Sequence, residues 1–150
     1  MDEIDRKILS ELQRDGRLTV SELAERVRLS LSPTHRRLRA LERDGVITGY
    51  RAVVDPEAVG LSFQALVFVT MRQEDRDTLL AFEAAVARVP QVLAAQRLFG
   101  DPDYLLRVRT RDLAGYAELE DDVLSALPGV QRLTSTLVMK QVVEDRPLPV

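Results

Sequence analysis

The chain has 150 residues, of which 45% are apolar and 30% charged, and a formal net charge of -3, a composition typical of one ordinary globular domain or two small ones. It contains no cysteine and one histidine, which excludes disulfides, thiolate nucleophiles and multi-histidine metal sites, so we expect no metal and no cofactor. No apolar run approaches the roughly 18 residues of a membrane-spanning helix, and the acidic N-terminus lacks a secretion signal, so we expect a cytoplasmic protein without a membrane partner.

Two helices are predicted at the start of the chain. The first has one apolar face at helical spacing, formed by Ile4, Ile8, Leu9 and Leu12. Gly16 is expected to end it. Thr19 and Glu22 have the spacing of a capping box, in which the side chain of each accepts from the backbone N–H of the other. A second helix is therefore expected to begin at Thr19.

A third helix with an unusual charge follows. Ser32 and Pro33 predict its start, as N-cap and first helical residue, and Gly45 predicts its end. Residues 26–43 contain six arginines against one acid, Glu42, in a protein whose net charge is negative. Such a local basic surface is typical of contact with a phosphate backbone. The three helices together predict a winged-helix-like helix-turn-helix domain that binds double-stranded DNA.

The candidate DNA contacts are polar residues of the third helix and of the loop before it, namely Ser30, Ser32, Thr34, Arg36, Arg37, Arg39 and Arg43. Arginine pairs with guanine edges in the major groove, whereas most contacts in such interfaces go to phosphates and fix position only. The hydroxyls lie near a helix N-terminus, which favours anions; for Ser32, capping alone is the preferred explanation. A face that is merely solvated is the alternative for the arginines, and His35 is expected to pack at the inner edge of the helix.

The rest of the chain alternates between strand and helix patterns. Residues 46–54 are rich in β-formers and poor in glycine and serine, which predicts a connecting strand. Two β-α-β patterns follow, with strands at 61–72, 91–99, 104–110 and 130–143 and helices at 75–89 and 112–127. They predict a ferredoxin-like βαββαβ sheet. The fold class is therefore α+β, divided into a helix-turn-helix domain at 1–48, a connecting strand and hinge at 49–60, and the βαββαβ domain at 61–150.

The first strand of this sheet is apolar on both faces. Leu66 and Phe68 point to one side, whereas Ala65, Val67 and Val69 point to the other. The helices cover one face, so the other face needs a cover as well, and a facing sheet from a second subunit is the natural one. We therefore expect at least a dimer.

Four stretches together resemble the Lrp/AsnC regulators, the feast/famine transcription factors of bacteria and archaea. They are Asp5-Arg6 with Ile8-Leu9, Glu22-Leu23-Ala24, Leu41 to Ile47, and Gly100 to Leu106, in this order along nearly the whole chain. The resemblance implies a helix-turn-helix motif over about residues 20–39 and an effector-sensing βαββαβ domain. It also implies homodimers that assemble into tetramers or octamers and bind small effectors, usually amino acids, between dimers.

The same resemblance implies an effector loop. Its residues map to Gly100, Asp101, Asp103 and Tyr104, with a facing contribution from Leu113, Ser135, Thr136 and Leu137. Glycine allows close approach of a ligand to the backbone, and the carboxylate of Asp103 suits the α-ammonium of an amino acid. An ordinary turn between two strands fits the composition of residues 100–103 equally well.

The leading interpretation is a DNA-binding transcriptional regulator whose assembly or DNA affinity responds to a small effector such as an amino acid. The alternative is an amino-acid-binding module that controls an enzyme, with the basic helix as a protein-docking face. An enzyme is not expected, because the chain lacks cysteine, has its one histidine in the third helix and has no Gly-rich phosphate loop. The acidic run Glu120 to Asp122 predicts a solvated face, since three adjacent helical positions cannot face one ion.

Overall fold

The computed structural model describes residues 1–143 and 146–150. The chain divides into two compact units, one formed by Met1–Val53 with Val142–Val150 and the other by Val54–Gln141. Within the described residues, no helix has the length and apolar character needed to cross a membrane. Each unit has its own buried core, described separately below.

Leu148 packs with the N-terminal helices, although the sequence pattern placed it in the βαββαβ domain. The side-chain amide of Gln13 accepts a hydrogen bond from the N–H of Leu148 (2.6 Å) and donates one to the Leu148 carbonyl (3.1 Å). Both backbone polar groups of Leu148 are thereby held on the first helix. Because the contact joins residues 135 positions apart, no local sequence pattern predicts it.

The first unit contains the three predicted helices, α1 (Glu3–Arg14), α2 (Val20–Val27) and α3 (Leu31–Arg43). Reciprocal caps begin α1, between Asp2 and Asp5, and α2, between Thr19 and Glu22 as predicted. The apolar faces meet in one core, which contains Ile8, Leu9, Leu23, Val27, Leu38 and Leu41. The prediction of a three-helix unit is confirmed.

The start of α3 differs from the prediction. Its N-cap is Ser30 rather than Ser32, and Pro33 occupies the third helical position rather than the first. Backbone N–H groups of the first helical turn have no partner within the helix, so a proline there removes no hydrogen bond. Gly45 follows the helix as expected, with a φ of 70° that glycine adopts without strain.

The predicted connecting strand is not formed within the chain. Residues 46–62, all of which the structure describes, contain no strand. A strand needs a neighbouring strand to receive its backbone hydrogen bonds, and other contacts hold this segment instead. The hydroxyl of Tyr50 donates to Glu42 (3.0 Å), and the N–H of Leu61 closes a turn on the carbonyl of Pro56 (2.8 Å).

The second unit is a four-stranded antiparallel sheet with two helices. Its elements are β1 (Phe63–Met71), α4 (Arg76–Val86), β2 (Val92–Arg97), β3 (Tyr104–Thr110), α5 (Leu113–Leu119) with a π-helical segment (Glu120–Leu124), and β4 (Val130–Leu137). The strand order is β2-β3-β1-β4, which is the ferredoxin-like arrangement. The α+β fold class and the βαββαβ order are therefore confirmed.

Every element of this unit except β3 is shorter than the sequence predicts, and the differences are largest for β4 and α5. β4 ends at Leu137 rather than near residue 143, because its partner there is Ala65, two residues from the start of β1. The regular α-helix of α5 ends at Leu119, and the chain continues as a π-helical turn that begins with Glu120. Segments of this kind occur often at functional sites.

The sheet packs its helix-facing side as predicted. That side and the helices bury Ala65, Val67, Val69, Phe82, Leu106 and Val108, among others. The opposite side carries Leu66 and Phe68 on β1, and Leu105 is the partner of Phe68 on β3. All three are only partly buried. This second apolar side is the feature from which a dimer is predicted.

Candidate DNA interface and effector site

The exposed side of α3 is a basic surface. Apart from Leu31 at the start of the helix, its exposed residues are Ser32, His35, Arg36, Arg39 and Arg43. They follow one another at spacings of three or four residues, or are adjacent, so they share one side of the helix. His35 was expected to pack inside and is exposed instead. Its position, three residues after Ser32 and four before Arg39, was the signal for placing it on this surface.

Thr34 does not belong to that surface. Its side chain is fully buried, and its hydroxyl donates to the carbonyl of Ser30 (3.0 Å), which satisfies the polar group in the interior. The prediction that Thr34 contacts DNA was wrong, because the residue lies on the core side of α3 with Leu38. Ser30 is exposed and its side chain forms no capping bond, so its hydroxyl is available to a phosphate at the helix N-terminus.

Arg37 is held by α1 rather than directed outward. Its Nη1 donates to Oδ2 of Asp2 and to Oδ1 of Asp5, both at 2.8 Å. These hydrogen bonds, to Asp5 first and Asp2 second, raise the pKa of Arg37. The backbone N–H of Asp5 and the guanidinium of Arg37 lower the pKa of Asp2. A cation bound to two carboxylates ties α1 to α3. Arg37 as a DNA contact stays a prediction, and these ion pairs make it a weaker candidate than Arg36.

The three remaining arginines differ in their partners. Arg39 pairs with Glu42 (3.1 Å) and Arg43 with Asp44 (2.9 Å). Exposed ion pairs of this kind contribute little to stability, so both cations can turn toward a phosphate. Arg36 is exposed and forms no ion pair with any residue that the structure describes. It is therefore the strongest candidate for a direct DNA contact.

Three of the predicted effector residues lie together at one end of the sheet. Gly100, Asp101 and Asp103 belong to the loop between β2 and β3 and line a cleft of about 640 Å³. Gly100 has a φ of 131°, which side chains rarely allow, so the loop depends on glycine. Glu74 and Arg97 contribute charge to the same cleft. The loop is thus both a turn between strands and the wall of a cleft large enough for a small ligand.

The carboxylate of Asp103 has a partner within the sheet. Its Oδ2 accepts from the N–H of Met71 (2.6 Å), and its own N–H donates to the carbonyl of Val69 (2.9 Å). Together these bonds tie the loop to the end of β1. The geometry gives Asp103 a role in positioning the loop, which the sequence does not predict.

Tyr104 lies in the core and not in the cleft. Its side chain is 2% exposed, its hydroxyl donates to Oε1 of Glu83 (2.8 Å), and its ring centroid is 4.5 Å from that of Phe82. The prediction that Tyr104 contacts an effector is therefore corrected. The alternation of Tyr104, Leu106 and Val108 along β3 already indicated a shared buried side.

The two buried tyrosines predict a loss of stability at alkaline pH. Burial, and then the carboxylate of Glu83, raises the pKa of Tyr104 to about 12; burial, and then Glu120, raises that of Tyr116 to about 12, against the opposing effect of Ser135. A folded-state pKa above the ordinary value of about 10 gives stability that is complete below about pH 10 and is lost as the pH rises through about 12.

The free energy of unfolding is measured by urea denaturation at about pH 9 and about pH 11. Between these two pH values it should fall more in the wild type than in a variant with both Tyr104→Phe and Tyr116→Phe. Equal losses in the two proteins would show that neither hydroxyl is responsible.

The other predicted effector residues lie toward the opposite end of the sheet. Leu137 pairs with Ala65, whereas Tyr104, which follows the loop, pairs with Val69. Four residues along β1 separate these positions, which is about 13 Å in a strand. Leu113 follows β3 at the same far end as Leu137 and is exposed, as are Thr136 and Leu137. One chain therefore does not bring the two sets of residues around a single small ligand.

A hydrogen-bonded group that the sequence analysis missed lies between α5 and β4. The hydroxyls of Tyr116 and Ser135 are 2.6 Å apart, and Ser135 donates to Oε2 of Glu120 (2.9 Å). Asp121 and Asp122 are exposed, as expected for a solvated acidic run, but Glu120 turns inward. Glu120 lies four residues after Tyr116, on the same side of the helix, and this spacing was the available signal.

Comparisons with known proteins cover both units. Residues 1–48 match the family model of a winged helix-turn-helix DNA-binding domain, and residues 64–148 match the model of the Lrp/AsnC ligand binding domain. The chain is 36% identical over 150 residues to the DNA-binding transcriptional activator DecR of Escherichia coli (strain K12), with 100% of this chain and 99% of the relative covered.

Two further similarities carry information on ligands. The chain is 38% identical over 148 residues to the leucine-responsive regulatory protein of Salmonella typhimurium, covering 99% of this chain and 90% of the relative. The crystal structure of the transcriptional regulator NMB0573 from Neisseria meningitidis in complex with L-Met superposes with a TM-score of 0.94 at 40% identity, covering 99% of this chain and 96% of that one.

Proposed function

The chain belongs to the Lrp/AsnC family and is a DNA-binding transcriptional regulator, and from this premise we propose that its effector is an amino acid bound in the βαββαβ unit. The ligand-binding family model covers that unit. Support for the class of effector comes from the relative named for its response to leucine and from the similar structure that holds L-Met. We place the protein in the cytoplasm, where a regulator reaches the chromosome.

The distance between the two predicted sets of effector-binding residues supports a ligand site that is formed by more than one copy of the chain. The cleft beside Gly100 is at one end of the sheet, and Leu113 and Leu137 lie toward the other end, so a ligand that contacts both sets needs residues from two copies. The apolar side of the sheet with Leu66 and Phe68 supports the same proposal, because apolar surface of this kind favours association. We propose a homodimer through this side and further assembly into tetramers or octamers around the effector.

For the DNA-binding unit we propose that the polar residues at the start and on the exposed side of α3 make different contacts with DNA. Arg36 makes a direct contact to DNA, Arg39 and Arg43 exchange their carboxylate partners for phosphates, and Ser30 and Ser32 contact phosphate at the helix N-terminus. Phosphate contacts fix the position of a protein on the duplex, and base contacts specify the sequence. The position of Arg36 on the exposed side of the helix, without an ion-pair partner among the described residues, is the observation that carries this assignment.

The test of the effector proposal is a thermal-shift screen against the twenty amino acids, with D-leucine and D-methionine as controls. A ligand present at a hundred times its Kd stabilises the folded protein by about 2.7 kcal/mol, which gives a clear rise in melting temperature. Light scattering of the same samples should give a mass above that of one chain. A flat screen would reject the amino-acid effector, and a monomeric mass at micromolar concentration would reject the assembly.

A further inference from the structure

Glu120 is a carboxylate enclosed between a helix and an edge strand. It begins the π-helical segment after α5 and is partly buried. Its Oε2 accepts from the hydroxyl of Ser135 (2.9 Å), which is itself 2.6 Å from the hydroxyl of Tyr116. Both neighbours are neutral, so the group carries one negative charge.

Glu120 forms no ion pair with a lysine or arginine within residues 1–143 and 146–150. A carboxylate offers about four lone-pair positions, and Ser135 fills only one of those on Oε2. Partly buried charges are ordinarily paired with an opposite charge. A cationic ligand would supply the opposite charge that this carboxylate lacks, and a neutral ligand would not.

Two leucines lie on the same sides of α5 and β4 as this carboxylate and its hydroxyl partners. Leu113, Tyr116 and Glu120 lie at helical spacings of three and four residues and share one side of the helix. Ser135 and Leu137 are two residues apart on β4 and share one side of that strand. Leu113 is 58% exposed and Leu137 is 53% exposed. The neighbouring sides of α5 and β4 therefore present one carboxylate together with two accessible leucines.

Asp103, the other carboxylate considered for effector binding, is engaged elsewhere. Its Oδ2 is bound to the N–H of Met71 at 2.6 Å, and the bond ties the loop to the end of β1. A ligand ammonium would compete with that backbone bond at Asp103. At Glu120 it would meet the hydroxyls of Ser135 and Tyr116 and would displace no backbone bond.

We propose that Glu120 binds the α-ammonium of the amino-acid effector, with Leu113 and Leu137 in contact with its apolar side chain. The inference rests on the proposed function, since it names the group that recognises the proposed ligand. An ammonium donating to a carboxylate forms a charge-assisted hydrogen bond, which is about twice as strong as a neutral one. Ser135 positions the carboxylate, and Asp103 and Gly100 belong to the loop that a second copy brings to the same ligand.

The test uses Glu120→Gln, which keeps the size of the side chain and an oxygen that accepts from Ser135. The probes are L-methionine and 4-(methylthio)butanoate, which differs from it only by the missing ammonium, with binding measured by calorimetry on the full chain. The wild type should bind L-methionine and discriminate strongly against the butanoate. Glu120→Gln should bind L-methionine at least about tenfold more weakly, as expected for the loss of one charge-assisted bond, and should lose most of that discrimination.

The matched control is Asp121→Asn, which removes the neighbouring exposed charge and should leave the affinity within about threefold, as is usual for an exposed position. Unchanged L-methionine binding in Glu120→Gln, or a larger loss in Asp103→Asn than in Glu120→Gln, overturns the assignment. So does an equal loss for both probes together with a lower melting temperature, which would indicate a structural role. If the wild type binds no amino acid, the proposed function itself fails.

Discussion

Arg36→Ala is expected to weaken binding to the DNA upstream of the protein's own gene by about ten- to a hundredfold, the usual effect of losing one arginine contact. The residue is exposed on α3 and has no ion-pair partner among the described residues, so the substitution should leave the melting temperature unchanged. The measurement is a fluorescence-anisotropy titration at several salt concentrations. For a phosphate contact, the slope of log affinity against log salt should become shallower by about one.

Arg37→Ala is the matched control for Arg36→Ala. It removes the same charge from the next residue, but it also breaks the tie to Asp2 and Asp5. The melting temperature should therefore fall, and the DNA affinity should fall less than in Arg36→Ala. Unchanged affinity in Arg36→Ala would remove that residue from the interface, and a larger loss of affinity in Arg37→Ala at unchanged stability would exchange the two roles.

Phe82→Ala is expected to lower the free energy of unfolding of the βαββαβ unit by about 3–5 kcal/mol, the range for removal of a buried aromatic ring. Phe82 is fully buried on α4, and its ring centroid lies 4.5 Å from that of Tyr104 at the start of β3. The cavity left by the ring would lie next to Tyr104, the first residue after the loop that contains Gly100. Urea unfolding of the full chain measures the change.

Leu80→Ala provides the comparison for Phe82→Ala. Leu80 is on the same helix and is 51% exposed, so its truncation should change the free energy of unfolding by no more than about 0.5 kcal/mol. Similar losses in the two variants would contradict the core described for this unit. Loss of effector response in Phe82→Ala at temperatures where the protein stays folded would further indicate that the ring supports the loop.

The elements of the fold were predictable because their signals are local. Thr19 and Glu22 marked the start of α2, and the alternation of Ala65, Val67 and Val69 marked the buried side of β1. The predicted start of α3 was wrong by two residues, because Ser30 and Ser32 are both good N-cap residues. Only the backbone conformation shows that Ser30 is the N-cap. The prediction of a connecting strand was wrong for a similar reason. Residues 46–54 have the composition of a strand, but no neighbouring strand within the chain receives their backbone hydrogen bonds.

The candidate sites were less predictable, because they depend on contacts between distant parts of the chain. Arg36 and Arg37 are equivalent in the sequence, and only the position of α1 shows that Arg37 is bound to Asp2 and Asp5. Thr34 was predictable, since it shares a helix side with Leu38. To predict the contacts of Glu120 one would need both the inward turn of the π-helical segment and the register of β4. The hydrophobic periodicity of the sequence indicates neither.

The hydrogen bonds between Gln13 and Leu148 make the DNA-binding unit discontinuous in the chain. During synthesis, α1 leaves the ribosome early, and the backbone that binds Gln13 follows only after the whole βαββαβ unit has been made. A fragment released by a protease near residue 53 would keep α1, α2 and α3 without this partner, and so would differ from the same helices within the intact protein.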